Sequence, residues 1–211
     1  MGQQVGRMPD TWEELIEERD RVLHWSSEVI ARVADNIRDE DTFLMDYDNT
    51  KLDAKVDSWI ENNKTRIEPT ISKLPSSKSE CTDLISAATA KICDETKQKM
   101  RKDYESAYGD LKKFTKRVDE LGQDEQKIHN EIQQLEGSCA NDVKKFQKKF
   151  GPLRLKVFNN LRTGEKMLFE DKKLKTAFTK KIYDIDHKYM NDCAKKFDKL
   201  TKDYEKCVAG K

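Results

Sequence analysis

An aspartate-rich segment is the first place where the sequence could support catalysis. Asp46 and Asp48 are two residues apart, and Thr50 follows them, a pattern found in phosphatases where one aspartate attacks phosphate and the next transfers a proton. That chemistry needs the pattern at the end of a strand in a parallel sheet, but helical spacing precedes and follows it here. We therefore interpret the segment as an acidic turn between two helices.

Histidine and cysteine could form a metal site, but their spacing argues against one. His24, His129 and His187 lie apart from any cysteine or carboxylate set with metal-ligand spacing, and no Cys-x-x-Cys pair occurs. The sequence also contains no glycine-rich phosphate loop and no nucleophile elbow. We predict no catalytic residue, no cofactor and no metal, and we expect that the protein is not an enzyme.

The five cysteines are more informative. Cys81 and Cys93 are twelve residues apart, and Cys193 and Cys207 are fourteen apart, on helices that we expect to run antiparallel. The two axial separations would be about 18 and 21 Å, so the spacing allows the disulfides Cys81–Cys207 and Cys93–Cys193. Cys139 would remain unpaired and could link two chains. The alternative is that all five are reduced and pack as small apolar residues.

The elements that would carry these cysteines are long helices, and the middle of the chain shows this most clearly. Apolar residues recur there at the two seam positions of a coiled coil over about six heptads, with Glu125 as one polar member. The candidate seam residues are Met100, Tyr104, Leu111, Phe114, Val118, Leu121, Ile128, Ile132 and Leu135. This pattern predicts a helix that packs along another helix.

The whole chain fits an all-α fold. We predict an elongated bundle of three to five helices with coiled-coil packing, two of them very long and antiparallel after a left-handed turn at Gly137 with Ser138 starting the next helix. Residues 1–9 would be a flexible lead, and residues 10–211 a single elongated domain. The expected helices are about 11–45, 50–68, 77–136 and 138–209, the last with a kink near 151–152 and a break near 159–164. Capping boxes are expected at Thr11–Glu14 and Ser77–Glu80.

Charge is distributed unevenly along the chain. Residues 1–75 carry 10 basic and 17 acidic side chains, whereas residues 137–211 carry 20 and 10. The candidate basic face consists of lysine doublets, which are Lys144, Lys145, Lys148, Lys149, Lys172, Lys173, Lys180 and Lys181. Such a face can hold anionic lipid. The alternative is that this basic arm packs beside the acidic first helix, where the charges pair within the fold or across a dimer.

These features favour binding over catalysis. We expect a helical interaction or scaffold module, with a homodimer or another protein as partner, and in its most concrete form a membrane-surface module with the architecture of BAR-type domains. No motif carries that comparison. Nucleic acid is a less favoured partner, because arginine is scarce in the basic arm. The protein would be cytoplasmic or peripheral to a membrane.

The alternative is a secreted protein held by disulfides that binds a protein or a small apolar ligand. Five phenylalanines could line a site for such a ligand, namely Phe146, Phe150, Phe158, Phe169 and Phe178.

Overall fold

A computed structural model describes residues 6–45, 47–73 and 79–210. They form five helices: α1 Trp12–Met45, α2 Asn49–Lys73, α3 Ser79–Gln133, the short α4 Leu135–Cys139 and α5 Val143–Ala209. No strand occurs among these residues. The predicted all-α helical bundle is confirmed, because the long helices pack against one another.

One helix extends further than its sequence suggests, and another continues through a predicted break. Helix α2 continues through Pro69 to Lys73, and α5 runs unbroken through residues 159–164, so the predicted break there was wrong. The Thr163 hydroxyl donates to the carbonyl of Asn159 at 2.9 Å, and this bond satisfies the hydroxyl without opening the helix. Pro152 lies inside α5, and the kink expected there stays a prediction.

Short polar side chains begin the helices. The amide of Glu14 donates to the Thr11 hydroxyl at 3.3 Å, which is the threonine half of the predicted capping box of α1. The amide of Lys51 donates to Asp48 at 2.7 Å in the same way, so this aspartate caps α2. Asp46 and the second predicted capping box, at residues 77–80, lie wholly or partly outside the described residues.

The turn before α5 is not where the sequence suggested. Gly137 lies inside α4, and the left-handed residues are Ala140 (φ 47°) and Asn141 (φ 63°). The Ser138 hydroxyl donates a hydrogen bond to the carbonyl of Leu135, within α4. At the start of α5, the Asp142 carboxylate accepts a hydrogen bond from the amide of Lys145 at 3.0 Å. The prediction of a turn at Gly137 was wrong because an adjacent asparagine, which tolerates this conformation, and an aspartate cap form the turn instead.

The contacts divide the chain into two compact units that share α3 and α5. The first unit consists of the described residues up to Phe43 together with Asp110–Lys175. The second consists of the described parts of Leu44–Gly109 and Thr176–Lys211. The prediction of a single domain is not tested by this division.

In the first unit, α1 runs antiparallel to α3 with a seven-residue repeat. Residues spaced seven apart on α1 contact residues spaced seven apart on α3 and the adjoining α4. The pairs are Arg19–Glu136, Ser26–His129, Val33–Gly122 and Glu40–Thr115. The third pair is close: a Cβ placed on Gly122 would lie 2.7 Å from Val33 Cγ1. Glycine therefore lets the two helices approach each other at this level.

In the second unit, α2 and the last part of α5 pack along the first half of α3. Tyr104 donates to Asp186 at 2.6 Å, and the ammonium of Lys55 lies 2.6 Å from the same carboxylate. This carboxylate therefore joins all three helices. Burial and the Asp186 hydrogen bond raise the pKa of Tyr104 far above its usual value, so its phenol remains protonated and donates.

The seam predicted on α3 is buried within this one chain. Eight of the nine seam residues are buried, and Leu121 is partly buried against the core of the first unit. The polar seam member, Glu125, is also buried and accepts a hydrogen bond from Asn160 at 2.7 Å. The heptads are therefore satisfied by α1, α2 and α5, and they do not require a second chain.

The described part of the N-terminal lead is attached to α5. The Gln147 amide donates to the carbonyl of Pro9 at 2.6 Å, and the Arg154 guanidinium donates to the carbonyl of Gly6 at 3.0 Å. The flexibility of the lead stays a prediction. The buried ion pair of Arg154 with Glu18, at 2.6 Å, fixes the guanidinium that holds this segment.

Candidate functional site

The eight lysines of the candidate basic face are all exposed, and they are divided between the two units. Lys180 and Lys181 belong to the second unit, and the other six belong to the first. Within the first unit each doublet is split, because neighbouring residues of a helix point about 100° apart. Lys144, Lys148 and Lys173 point away from the buried side of α5, while their doublet partners lie on its flanks.

A single row of nine exposed residues follows the outward side of α5 in the first unit. Its members recur at steps of three or four, which places them on one face over about 44 Å. We call this row the outward face, and it consists of Lys144, Lys148, Pro152, Leu155, Asn159, Arg162, Lys166, Phe169 and Lys173. It combines five basic side chains with two large apolar ones, a proline and an asparagine.

The two apolar members are unusually open to solvent. Phe169 is 75% exposed and Leu155 is 52% exposed. The sequence prediction missed Leu155 and assigned Phe169 to a ligand site. Their spacing could have revealed them, since Leu155 lies seven residues after Lys148 and Phe169 lies four before Lys173. They therefore share the lysines' side of the helix and not the buried side.

The lysines of the outward face have no ionic partner among the described residues. In the part of the chain that the structure describes, no carboxylate lies within 4.0 Å of the ammonium of Lys144, Lys148, Lys166 or Lys173. Acidic residues of α1 pair with arginines of the same helix, as in Asp35–Arg38 at 2.8 Å, and Glu18 also pairs with Arg154 of α5 at 2.6 Å. The predicted pairing of the basic arm with α1 therefore occurs at Arg154, whereas these lysines take no part in it.

Of the two predicted disulfides, one is present. Cys81 and Cys207 are bonded, with their Cα atoms 6.0 Å apart, and this bond joins the first turn of α3 to the last turns of α5. Cys93 and Cys193 are both free, so the second predicted disulfide was wrong.

The faces of α3 explain the missing bond. The Cys93 thiol donates to Asp57 of α2 at 3.3 Å, while Cys193 lies 3.4 Å from the hydroxyl of Thr96. The two sulfurs therefore lie on different sides of α3. Cys139 is 1% exposed, and its burial removes the predicted link between chains.

The described residues offer no group of three or more histidine, cysteine or acidic side chains that could hold a metal ion. The histidines have other contacts. His129 lies 3.2 Å from the Ser26 hydroxyl, His24 lies 3.3 Å from Glu28, and the ring of His187 packs against Tyr183. Of the acidic segment, Asp48 serves as a helix cap.

The described helices also contain no stretch long and apolar enough to cross a bilayer.

Buried carboxylates are polar features that the sequence prediction did not single out. Glu40 is 1% exposed, accepts a hydrogen bond from Thr115 at 3.1 Å and shares another with Asp171. Burial, together with the Asp171 hydrogen bond, raises the pKa of Glu40 to about 7. Lys175 lies 3.0 Å from Asp171. This cluster of α1, α3 and α5 is positioned by packing and is screened from solvent.

The phenylalanines predicted to line a ligand site have other surroundings. Phe146, Phe150, Phe158 and Phe178 are buried in the cores of their units, and Phe169 is exposed. A groove of about 640 Å³ lies elsewhere, between α2 and α3 of the second unit, with Phe197 of α5 among its lining residues. The sequence alone could not reveal it, because a gap between two helices leaves no repeat in the residue pattern.

Comparison with protein-family models, with curated proteins and with solved structures finds no match to this chain.

Proposed function

We propose that the protein is a non-enzymatic helical module that binds an anionic membrane surface through the outward face of α5. The observation that carries the proposal is the composition of that face. In the part of the chain that the structure describes, its lysines have no carboxylate partner, and two exposed apolar side chains lie among them.

Charge supplies most of the expected attraction. A lysine or arginine near an anionic bilayer contributes about 1 kcal/mol, so the five basic residues of the outward face would contribute about 5 kcal/mol. Between Val143 and Lys175, α5 carries 11 basic residues against three acidic ones. Few carboxylates are therefore near enough on this segment to repel lipid phosphates.

The apolar members favour a membrane over a nucleic acid. Phe169 and Leu155 would enter the boundary between headgroups and acyl chains, as apolar side chains of interfacial helices do. Burying a phenylalanine side chain contributes about 1.5–3 kcal/mol, and its present exposure leaves most of that gain available. A phosphate backbone would give these two side chains no comparable contact.

The Cys81–Cys207 disulfide supports an oxidising compartment, since disulfides persist there and are rare in the cytosol. It also supports the second candidate function, a secreted helical protein that binds a protein partner or a small apolar ligand. In the favoured proposal, the anionic surface faces such a compartment. Homodimerisation remains a prediction, and it would have to use a surface other than the buried seam.

Co-sedimentation with vesicles tests the proposal. The protein should sediment with vesicles of phosphatidylcholine plus phosphatidylserine and stay in solution with phosphatidylcholine alone, and added salt should weaken the binding. Phe169→Ala should reduce binding roughly ten-fold, whereas Tyr183→Ala, an exposed aromatic of the second unit, should not. Equal binding to both kinds of vesicle, or to neither, would reject the proposal, and binding to neither would favour the second candidate.

A further inference from the structure

A second groove, of about 500 Å³, lies within the first unit, between α5 and the segment formed by the end of α3 and α4. Contacts between the two antiparallel segments fix their pairing beyond each end of the groove. Asn160 of α5 donates to Glu125 of α3 at 2.7 Å, and the ammonium of Lys145 donates to the carbonyl of Ser138 at 2.8 Å. The groove is therefore held open between two anchored levels of the bundle.

The lining of this groove has an excess of positive charge. Its charged residues are Lys148, Lys149 and Lys156 of α5 and Glu131 of α3. Among the described residues, no carboxylate lies within 4.0 Å of any of the three ammonium groups. These cations repel one another across a shared space, and a single carboxylate cannot neutralise all three. The lining therefore favours an anion and disfavours a cation.

The spacing of the lysines suits a small anion better than a polymer. Lys149 and Lys156 are seven residues apart, so they share one flank of α5 at about 10 Å along its axis. Lys148 lies beside them on the outward side. Their flexible four-carbon stems let the ammonium groups converge on one ion. Further along this flank the next polar residue is Asn160, which is neutral and bonded to Glu125, so the row of cations does not continue.

We infer that this groove binds a phosphomonoester group, and that on a membrane it selects lipids whose headgroup ends in one. A phosphomonoester carries a charge of about −1.5 to −2 at pH 7 and has three acceptor oxygens, which match three ammonium donors. With Glu131 counted, such an anion leaves the occupied groove close to neutral. The phosphodiester of phosphatidylserine or phosphatidylcholine has one negative charge and two free oxygens, so it matches the three donors less well.

The groove opens onto the surface that we propose to meet the bilayer. Lys148 and Pro152 line the groove and also belong to the outward face. Below the lysines, the buried Leu135 and the partly buried Leu153 provide an apolar floor for the carbon atoms of a headgroup. The volume is within the range of small-molecule sites. The choice of a lipid as the source of the phosphomonoester rests on the proposed function, whereas the preference for that group rests on the groove alone.

Vesicles of phosphatidylcholine with phosphatidic acid, a lipid phosphomonoester, test the inference against vesicles of phosphatidylcholine with phosphatidylserine. The anionic fractions are adjusted so that both kinds of vesicle have the same zeta potential. The wild type should partition onto phosphatidic acid vesicles at least about ten-fold more strongly. Equal partition onto the two kinds would overturn the inference and leave the proposed function standing.

Two double variants of equal net charge assign the preference to the groove. Lys149→Gln with Lys156→Gln removes groove lysines that are not part of the outward face, and it should abolish the preference for phosphatidic acid. Lys166→Gln with Lys173→Gln removes outward-face lysines away from the groove, so it should weaken binding to both kinds of vesicle and keep the preference. All four side chains are exposed, so neither variant should unfold. Loss of the preference in both variants, or in neither, would overturn the inference.

Glycerol 3-phosphate, a soluble phosphomonoester, separates this inference from the proposed function. If the protein binds neither kind of vesicle, the proposed function fails, and isothermal titration of glycerol 3-phosphate then decides the ligand of the groove. Binding that Lys149→Gln with Lys156→Gln weakens at least about ten-fold, and that Lys166→Gln with Lys173→Gln leaves unchanged, would support a free phosphomonoester as that ligand. Absence of binding, or equal weakening by both variants, would overturn the inference as well.

Discussion

Gly122→Ala tests the close approach of α1 and α3 in the first unit. A methyl group at this position would lie 2.7 Å from Val33 Cγ1 and 3.6 Å from Val33 Cβ. Carbon atoms pack best at about 3.5–4.0 Å, so the overlap with the first atom is roughly 1 Å. Valine is stiff at χ1, and Val33 is buried, so its side chain has little freedom to turn away.

Two effects of this substitution oppose each other. Alanine is favoured over glycine inside a helix by about 0.8–1.0 kcal/mol. Overpacking a core costs typically about 1–3 kcal/mol. The difference predicts that Gly122→Ala lowers the free energy of unfolding by up to about 2 kcal/mol, although the substitution alone would favour the helix.

Gly164→Ala is the matched control, since it is also within a helix of the first unit and a Cβ there would meet nothing within 4 Å. It should stabilise the protein by up to about 1 kcal/mol. Urea unfolding followed by tryptophan fluorescence measures both, because Trp12 and Trp25 lie in the first unit.

Combining Gly122→Ala with Val33→Ala should show a coupling of about 1–3 kcal/mol in favour of the double variant. Equal stabilisation by Gly122→Ala and Gly164→Ala would refute the close approach.

The other predictions concern the cysteines and the buried carboxyl pair. Protein that is denatured without reduction should present three reactive thiols, and five after reduction, because Cys81 is bonded to Cys207; five thiols without reduction, counted by mass spectrometry after alkylation, would contradict the structure. Glu40→Gln should change the pH dependence of stability, because the pKa of Glu40 is raised from 4.5 to about 7 in the folded protein. The stabilisation from its neutral carboxyl is full below pH 4.5 and is lost as the pH rises through about 7. Over that range the free energy of unfolding of the wild type should fall relative to that of the variant by on the order of 1–3 kcal/mol, and parallel urea profiles would contradict it.

Much of the fold was accessible from the sequence, because periodicity reports which side of a helix is buried. The seven-residue spacing identified the seam of α3, and the axial separation of the cysteines identified the Cys81–Cys207 bond. The second cysteine pair failed for a rotational reason, since equal separations along an axis do not ensure that two side chains point towards each other. The turn failed because glycine is a stronger general signal than the Ala140–Asn141 pair that forms it.

The candidate sites could be predicted only in part from the sequence. The charge count identified the basic arm. The lysine doublets did not indicate that only one lysine of each first-unit doublet points outward. Leu155 and Phe169 were hidden by the expectation that apolar residues are buried. The groove of the second unit depends on how far α2 stands from α3, and residue spacing does not encode that distance.

Partitioning onto anionic vesicles, measured for two variants of equal net charge, tests the proposed function most directly. One variant neutralises four lysines of the outward face, as Lys144→Gln, Lys148→Gln, Lys166→Gln and Lys173→Gln. The other neutralises four exposed lysines of α3, as Lys99→Gln, Lys102→Gln, Lys113→Gln and Lys127→Gln. Vesicles of phosphatidylcholine with phosphatidylserine are used for both.

At about 1 kcal/mol for each lysine at the surface, the first variant should lose about 4 kcal/mol of binding free energy, roughly a thousand-fold in affinity. The second variant should lose less than about ten-fold, through the change in net charge alone. Equal losses in the two variants would contradict a binding surface on the outward face of α5.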